Sequence, residues 1–153
     1  MGRMLSEVNK AYLAGLFDGD GAIMAFIQRH AEKKFGFRIR VIVKITQRNP
    51  EILEWVRKST SFGSVVQNRT TYDWIVRDQK AIIALLKLLI KYFRVKKKQA
   101  RIAIRILGSQ INTRKDLLKI AELADALSVF NVRSQLRRRN FAAKIKESIP
   151  RND

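Results

Sequence analysis

In the stretch Phe37-Arg38-Ile39-Arg40-Val41-Ile42-Val43-Lys44-Ile45-Thr46, every odd position is large and apolar, while Arg, Arg, Ile, Lys and Thr fill the even ones. A period of two is the mark of a strand. One apolar face opposite a mainly basic one describes a strand that lies on a core and shows its other side to an anion. Upstream, Ile23, Ala25 and Ile27 alternate with Met24, Phe26 and Gln28, which supplies a partner strand, with a turn around Ala31 to Gly36. Downstream, Ser64 to Asn68 and Thr71 to Val76 read as a second pair. There, Tyr72, Trp74 and Val76 face one way and Asp73, Ile75 and Arg77 the other.

Helices fill the remaining chain. The first is predicted from about Ser6 to Phe17, stopped by glycines at 15, 19 and 21. Asn49-Pro50 opens another to about Ser59, because Asn caps and Pro suits the first helical position. Asp78 caps a helix through Phe93, and one from about Lys97 to Leu107 ends at Gly108. Thr113 to Asp116 resembles a capping box and opens a helix to about Phe130. A basic segment and a helix near Phe141 to Glu147 follow. The order of helix, two strands, helix, two strands, then helices predicts an α+β fold: a four-stranded antiparallel sheet backed by helices, in a single domain over residues 1–153.

Composition narrows the chemistry. With no cysteine among 153 residues, disulfides, zinc–thiolate sites and cysteine nucleophiles are excluded. One histidine, His30, excludes mechanisms and metal sites that need two imidazoles. The formal net charge of +19 favours a polyanion, usually nucleic acid, although ribosomal proteins and cationic membrane binders are as basic. The first residues lead directly into a polar helix without a secretory pattern. The most apolar run, Ala81 to Phe93, is shorter than a membrane span and carries Lys87 and Lys91. An intracellular protein with no membrane partner is the expectation.

The exposed sheet face then carries Gln28, His30, Arg38, Arg40, Lys44, Asn68, Asp73 and Arg77. Met24, Phe26 and Ile75 share its parity, and Lys33 lies in the adjoining turn. A curved ribbon bearing such side chains fits the DNA major groove, whereas the plainer alternative is a solvated basic face. Arg137, Arg138 and Arg139 form a run with no alternation to aim it at base edges, so phosphate contact is the expectation there.

Leu13-Ala14-Gly15-Leu16-Phe17-Asp18-Gly19-Asp20-Gly21 sits between the first helix and the first strand. Ala11, Gly15 and Gly19 recur every four residues and give one helical face small side chains, which lets two helix backbones approach closely. Asp18 and Asp20 stand at the helix C-terminus, where the dipole opposes negative charge. Acids placed there call for a compensating cation, and hard oxygen ligands suit Mg2+. The ordinary alternative is a helix that simply ends in a Gly-Asp-Gly turn.

This nonapeptide resembles the signature of the LAGLIDADG homing endonucleases at seven of nine positions, departing at Phe17 and Gly19. The likeness extends to about Phe130 and is greatest to the single-motif, intron-encoded homodimers. It implies that motif helices of two subunits cross through Ala11, Gly15 and Gly19, and that the partner molecule is double-stranded DNA cut at a long pseudo-palindromic site. It further implies metal binding by Asp20 with the Gly19 carbonyl, a water-orienting Gln47 and a catalytic Lys98. Mg2+ is the implied cofactor, with Mn2+ or Ca2+ able to replace it for binding. The family often places a basic residue shortly after the glutamine; Glu51 stands nearby here, which leaves Arg48 as the substitute. An RNA maturase or intron-splicing cofactor, and a non-catalytic DNA-binding regulator, are the alternatives on the same fold. Joint retention of Asp20, Gln47 and Lys98 argues against the regulator. Few aromatics for base stacking argue for duplex DNA over RNA.

Overall fold

The computed structural model describes residues 5–131 and 140–148. The arginines at 137, 138 and 139 lie outside the described residues. In chain order the elements are α1 (Glu7–Asp20), β1 (Gly21–Arg29), β2 (Phe37–Gln47), α2 (Pro50–Thr60), β3 (Ser64–Asn68), β4 (Thr71–Val76), α3 (Gln79–Leu89), α4 (Lys97–Gly108), α5 (Arg114–Asn131) and α6 (Phe141–Ser148).

Ser6 starts α1 by accepting the Asn9 N–H at 3.2 Å, which satisfies one of the orphan amides of a helix start. The glycines do not stop this helix, which runs through Gly15 and Gly19 to Asp20. An interior glycine costs roughly 0.5–1 kcal/mol relative to alanine. Full burial of Leu13 and Phe17 outweighs that, since each large apolar side chain contributes about 1.5–3 kcal/mol. Gly21 is the glycine that the fold requires. A β-carbon there would lie 2.5 Å from the Phe17 ring, so only glycine lets the chain pass from α1 into β1 with no linker.

All strand pairs are antiparallel, in the order β1-β2-β4-β3. The register sets Phe26 opposite Arg40, Gln28 opposite Arg38, Lys44 opposite Ile75 and Thr46 opposite Asp73, so these residues share one face. Ile23, Val41, Val43, Ile45 and Trp74 occupy the other face with no exposed surface, packed beneath the helices. The Trp74 indole N–H is satisfied by the Phe62 carbonyl at 2.8 Å.

The apolar run that predicts a helix through Phe93 leaves α3 at Leu89. Phe93 packs against Phe17 with ring centroids 5.6 Å apart, and the amides of Arg94 and Lys96 are captured by the Asp18 carboxylate. Tertiary contacts with α1 therefore unwind the last turn that the periodicity calls for. Thr113 and Asp116 form the reciprocal cap of α5, with Asp116 N–H donated to the Thr113 hydroxyl and Thr113 N–H to the Asp116 carboxylate. Asp125 caps α6 from outside it, accepting the Phe141 and Ala142 amides at 2.6 and 3.1 Å. No helix among the described residues is long and apolar enough to cross a membrane.

Candidate metal site and nucleic-acid interface

Two carboxylates two residues apart on α1 do different jobs. Asp18 is half-buried, and its oxygens accept the backbone N–H groups of Arg94 at 2.8 Å and Lys96 at 3.0 Å. The Lys96 ammonium donates in turn to the Asp18 carbonyl at 3.3 Å, a cation at the negative end of α1. Asp18 is thus a clasp between the motif helix and the segment that leads into α4. The compensation that the sequence assigns to a bound cation is met, for this acid, by the protein itself.

Asp20 is exposed as the last residue of α1, and Gln47 Nε2 donates to its Oδ2 at 2.6 Å. The contact follows from the register. Gly21 pairs with Ile45, which brings the end of β2 over the end of α1. A primary amide spends a donor on the carboxylate and keeps its carbonyl oxygen available to accept from a water. Gly19 and Asp20 open onto a cleft whose lining includes Met24, Phe26, Lys44 and Lys96.

Among the described residues no group of three or more His, Cys, Asp or Glu side chains comes together. One chain therefore offers an exposed carboxylate and a neighbouring backbone carbonyl, both hard oxygen donors that fit Mg2+ or Ca2+ in kind but not in number. An ion held here would need further ligands from phosphate, water or a second chain. The face of α1 that ends at this point is open. Val8 is 77% exposed and Tyr12 52%, Ala11, Gly15 and Gly19 are also exposed, and a β-carbon built at either glycine meets nothing within 4 Å.

Lys98 lies in the first turn of α4, exposed, with no hydrogen bond to Asp20 or Gln47. Lys96, at the N-cap of α4, is the lysine that lines the cleft beside Asp20. Within the run Lys96-Lys97-Lys98, nothing in the sequence distinguishes the three; the Asp18 clasp does. Arg48 and Glu51 are both exposed after Gln47. Glu51 sits in the first turn of α2, where its charge suits the helix dipole.

On the sheet, Gln28, Asn68 and Arg77 are exposed, and Met24, Phe26, Arg38, Arg40, Lys44 and Ile75 are half-buried. Lys33 is exposed in the β1–β2 turn. His30 is half-buried at the end of β1, and its Nδ1 is enclosed without a partner among the described residues. Asp73 departs from the expectation of an exposed groove residue. It has the predicted parity but is only 4% exposed, with its carboxylate accepting from the Thr46 hydroxyl at 2.5 Å and the Asn68 amide at 3.4 Å. Cross-strand partners hold it in the face, so it shapes that surface. Thr46, on the even parity of β2 and lining the cleft, is a candidate that the sequence reading passed over.

A family model described as LAGLIDADG endonuclease matches residues 13–106. The chain is 26% identical over 126 residues to the DNA endonuclease I-CreI of Chlamydomonas reinhardtii, a match covering 78% of this chain and 77% of that one. It is 27% identical over 128 residues to the DNA endonuclease I-CvuI of Chlorella vulgaris, covering 80% of each. Crystal structures of I-CvuI with DNA targets, one uncleaved in 2 mM Mg and one in 2 mM Ca, each superpose with a TM-score of 0.80, at 25% and 26% identity. They cover 92% of this chain, and 92% and 91% of those chains. With more than half its length matched from the motif helix into α4, the chain belongs to the LAGLIDADG endonuclease family.

Proposed function

We propose that this chain is the protomer of a homodimeric homing endonuclease that hydrolyses a phosphodiester on each strand of a long pseudo-palindromic DNA site, with Mg2+ as its metal. The observation that carries the reading is the Asp20–Gln47 contact, placed where an open small-residue helix face meets a basic sheet face. Two-fold pairing through Ala11, Gly15 and Gly19 would set the two Asp20 carboxylates side by side and give the four-carboxylate-oxygen, two-carbonyl environment that one chain lacks. It would also join two sheets into one surface for the two half-sites. I-CreI and I-CvuI, to which this chain is similar, are DNA endonucleases, and I-CvuI is solved on DNA targets, which supports the substrate class.

The residues divide the work. Asp20 and the Gly19 carbonyl hold the divalent cation, which when bound supplies charge neutralisation at the phosphate and acidifies water. Gln47 fixes the Asp20 carboxylate with its N–H and orients a water with its carbonyl oxygen. Lys98, at a helix start that lacks a side-chain cap, adds its charge to the unpaired amides and holds a phosphate oxygen. Arg38, Arg40, Gln28 and Lys44 read base edges, with Asn68, Arg77 and Lys33 extending the surface. Incubation of the protein with a randomised duplex library and Mg2+, followed by sequencing of cut ends, tests this. Enrichment of one long pseudo-palindrome, lost with chelator, is the expected result. Binding without cuts under any divalent metal would instead make the chain a DNA-binding regulator.

A further inference from the structure

Strand β4 stops at Val76, opposite Val43, so the N–H and C=O of Val41, two residues further along the same side of β2, have no strand to pair with. A side chain takes that place. The Val41 N–H donates to Gln79 Oε1 at 2.8 Å, and Gln79 Nε2 donates to the Val41 carbonyl at 2.8 Å. The second N–H of the same amide donates to the Arg77 carbonyl at 2.7 Å. That carbonyl also accepts Arg40 Nη2 at 2.8 Å, across 37 residues of sequence. One carboxamide therefore substitutes for a missing strand residue and fixes the peptide that anchors Arg40.

We infer that Gln79 is a positioning residue for base readout, aligning Arg40 and Arg77 on the groove face through the Val41 backbone and the Arg77 carbonyl. The inference rests on the reading of the sheet as the base-reading surface. A guanidinium carries donors on three nitrogens, and bidentate recognition of a base needs it held in one plane. Tethering one Arg40 nitrogen leaves the others to face the base edge in a set orientation. Glu at position 79 would keep the size and could accept from Val41, but would turn carboxylate oxygens toward two carbonyls. Leu would remove all three bonds.

The test is competitive binding of the wild type, Gln79→Glu, Gln79→Leu and Arg40→Ala to a library of duplexes mutated one base pair at a time. Both Gln79 variants are expected to lose about tenfold in preference at the same base pairs as Arg40→Ala, with other positions and the salt dependence unchanged. A change with Arg40→Ala but none with either Gln79 variant overturns the inference and leaves the sheet as the reader. No change with Arg40→Ala overturns both. If the Gln79 variants do not fold, amide exchange of the wild-type protein decides: Val41 N–H should be protected as well as Val43 N–H, and rapid exchange at Val41 alone overturns the latch.

Discussion

The two sides of α1 are built to opposite rules. Leu13, Ala14 and Phe17 are fully buried against the chain's own sheet and helices. Val8, Ala11, Gly15 and Gly19 are exposed, and a β-carbon built at either glycine meets nothing within 4 Å. One helix thus carries a face whose packing is complete within a single copy and a face whose small residues serve no packing there. A small-residue stripe that folding does not use is available for another helix. The acids divide in the same way, with Asp18 spent on internal hydrogen bonds and Asp20 left at the surface.

Substitutions on each face should therefore fail differently. Phe17→Ala removes a buried ring in contact with Phe93 and should cost about 3–5 kcal/mol of folding stability, measured by denaturant unfolding. A loss under 1 kcal/mol would mean that the inner face is not the core. Asp18→Ala leaves two backbone amides without their acceptor and should cost about 1–3 kcal/mol. Asp18→Asn, which retains one acceptor, should fall between it and the wild type. Gly15→Leu should leave the fold of each copy intact, since its β-carbon meets nothing, yet abolish dimer formation in sedimentation and with it cleavage. An active Gly15→Leu protein would place the helix crossing elsewhere. The smallest effect is at the helix start, where the Lys10 ammonium hydrogen-bonded to Glu7 holds its carboxyl below the usual value, with Lys91 adding to the effect. A depressed carboxyl stabilises the fold above its unfolded pKa and loses that contribution as pH falls. Glu7→Gln should accordingly melt slightly below wild type at pH 7, and the two midpoints should converge in acid.

Strand faces were legible because period-two alternation and burial coincide: Phe37 to Thr46 point where their parity says. Accessibility was not legible, as Asp73 shows, since parity names a face while its neighbours Thr46 and Asn68 decide what water reaches. Helix ends were read less well than helix existence. At the C-terminus of α1, interior glycines were overridden by burial, and at α3 a good apolar run was overridden by the Asp18 clasp. The same long-range contact, spanning 78 residues, singles out Lys96, which no local pattern in a run of three lysines could do. The nonapeptide drew attention to Asp20 and the family resemblance to Gln47, while the hydrogen bond between them depends on a pairing between Gly21 and Ile45 that only the folded sheet makes.

We propose that the surface acid of α1, and not the clasped one, holds the metal for cleavage. Its direct measurement is Asp20→Asn assayed in parallel for duplex binding and for Mg2+-dependent cutting of the selected site. The expected result is binding within a few-fold of wild type and no detectable cleavage. Cutting at the wild-type rate would contradict the assignment of Asp20 as the metal ligand.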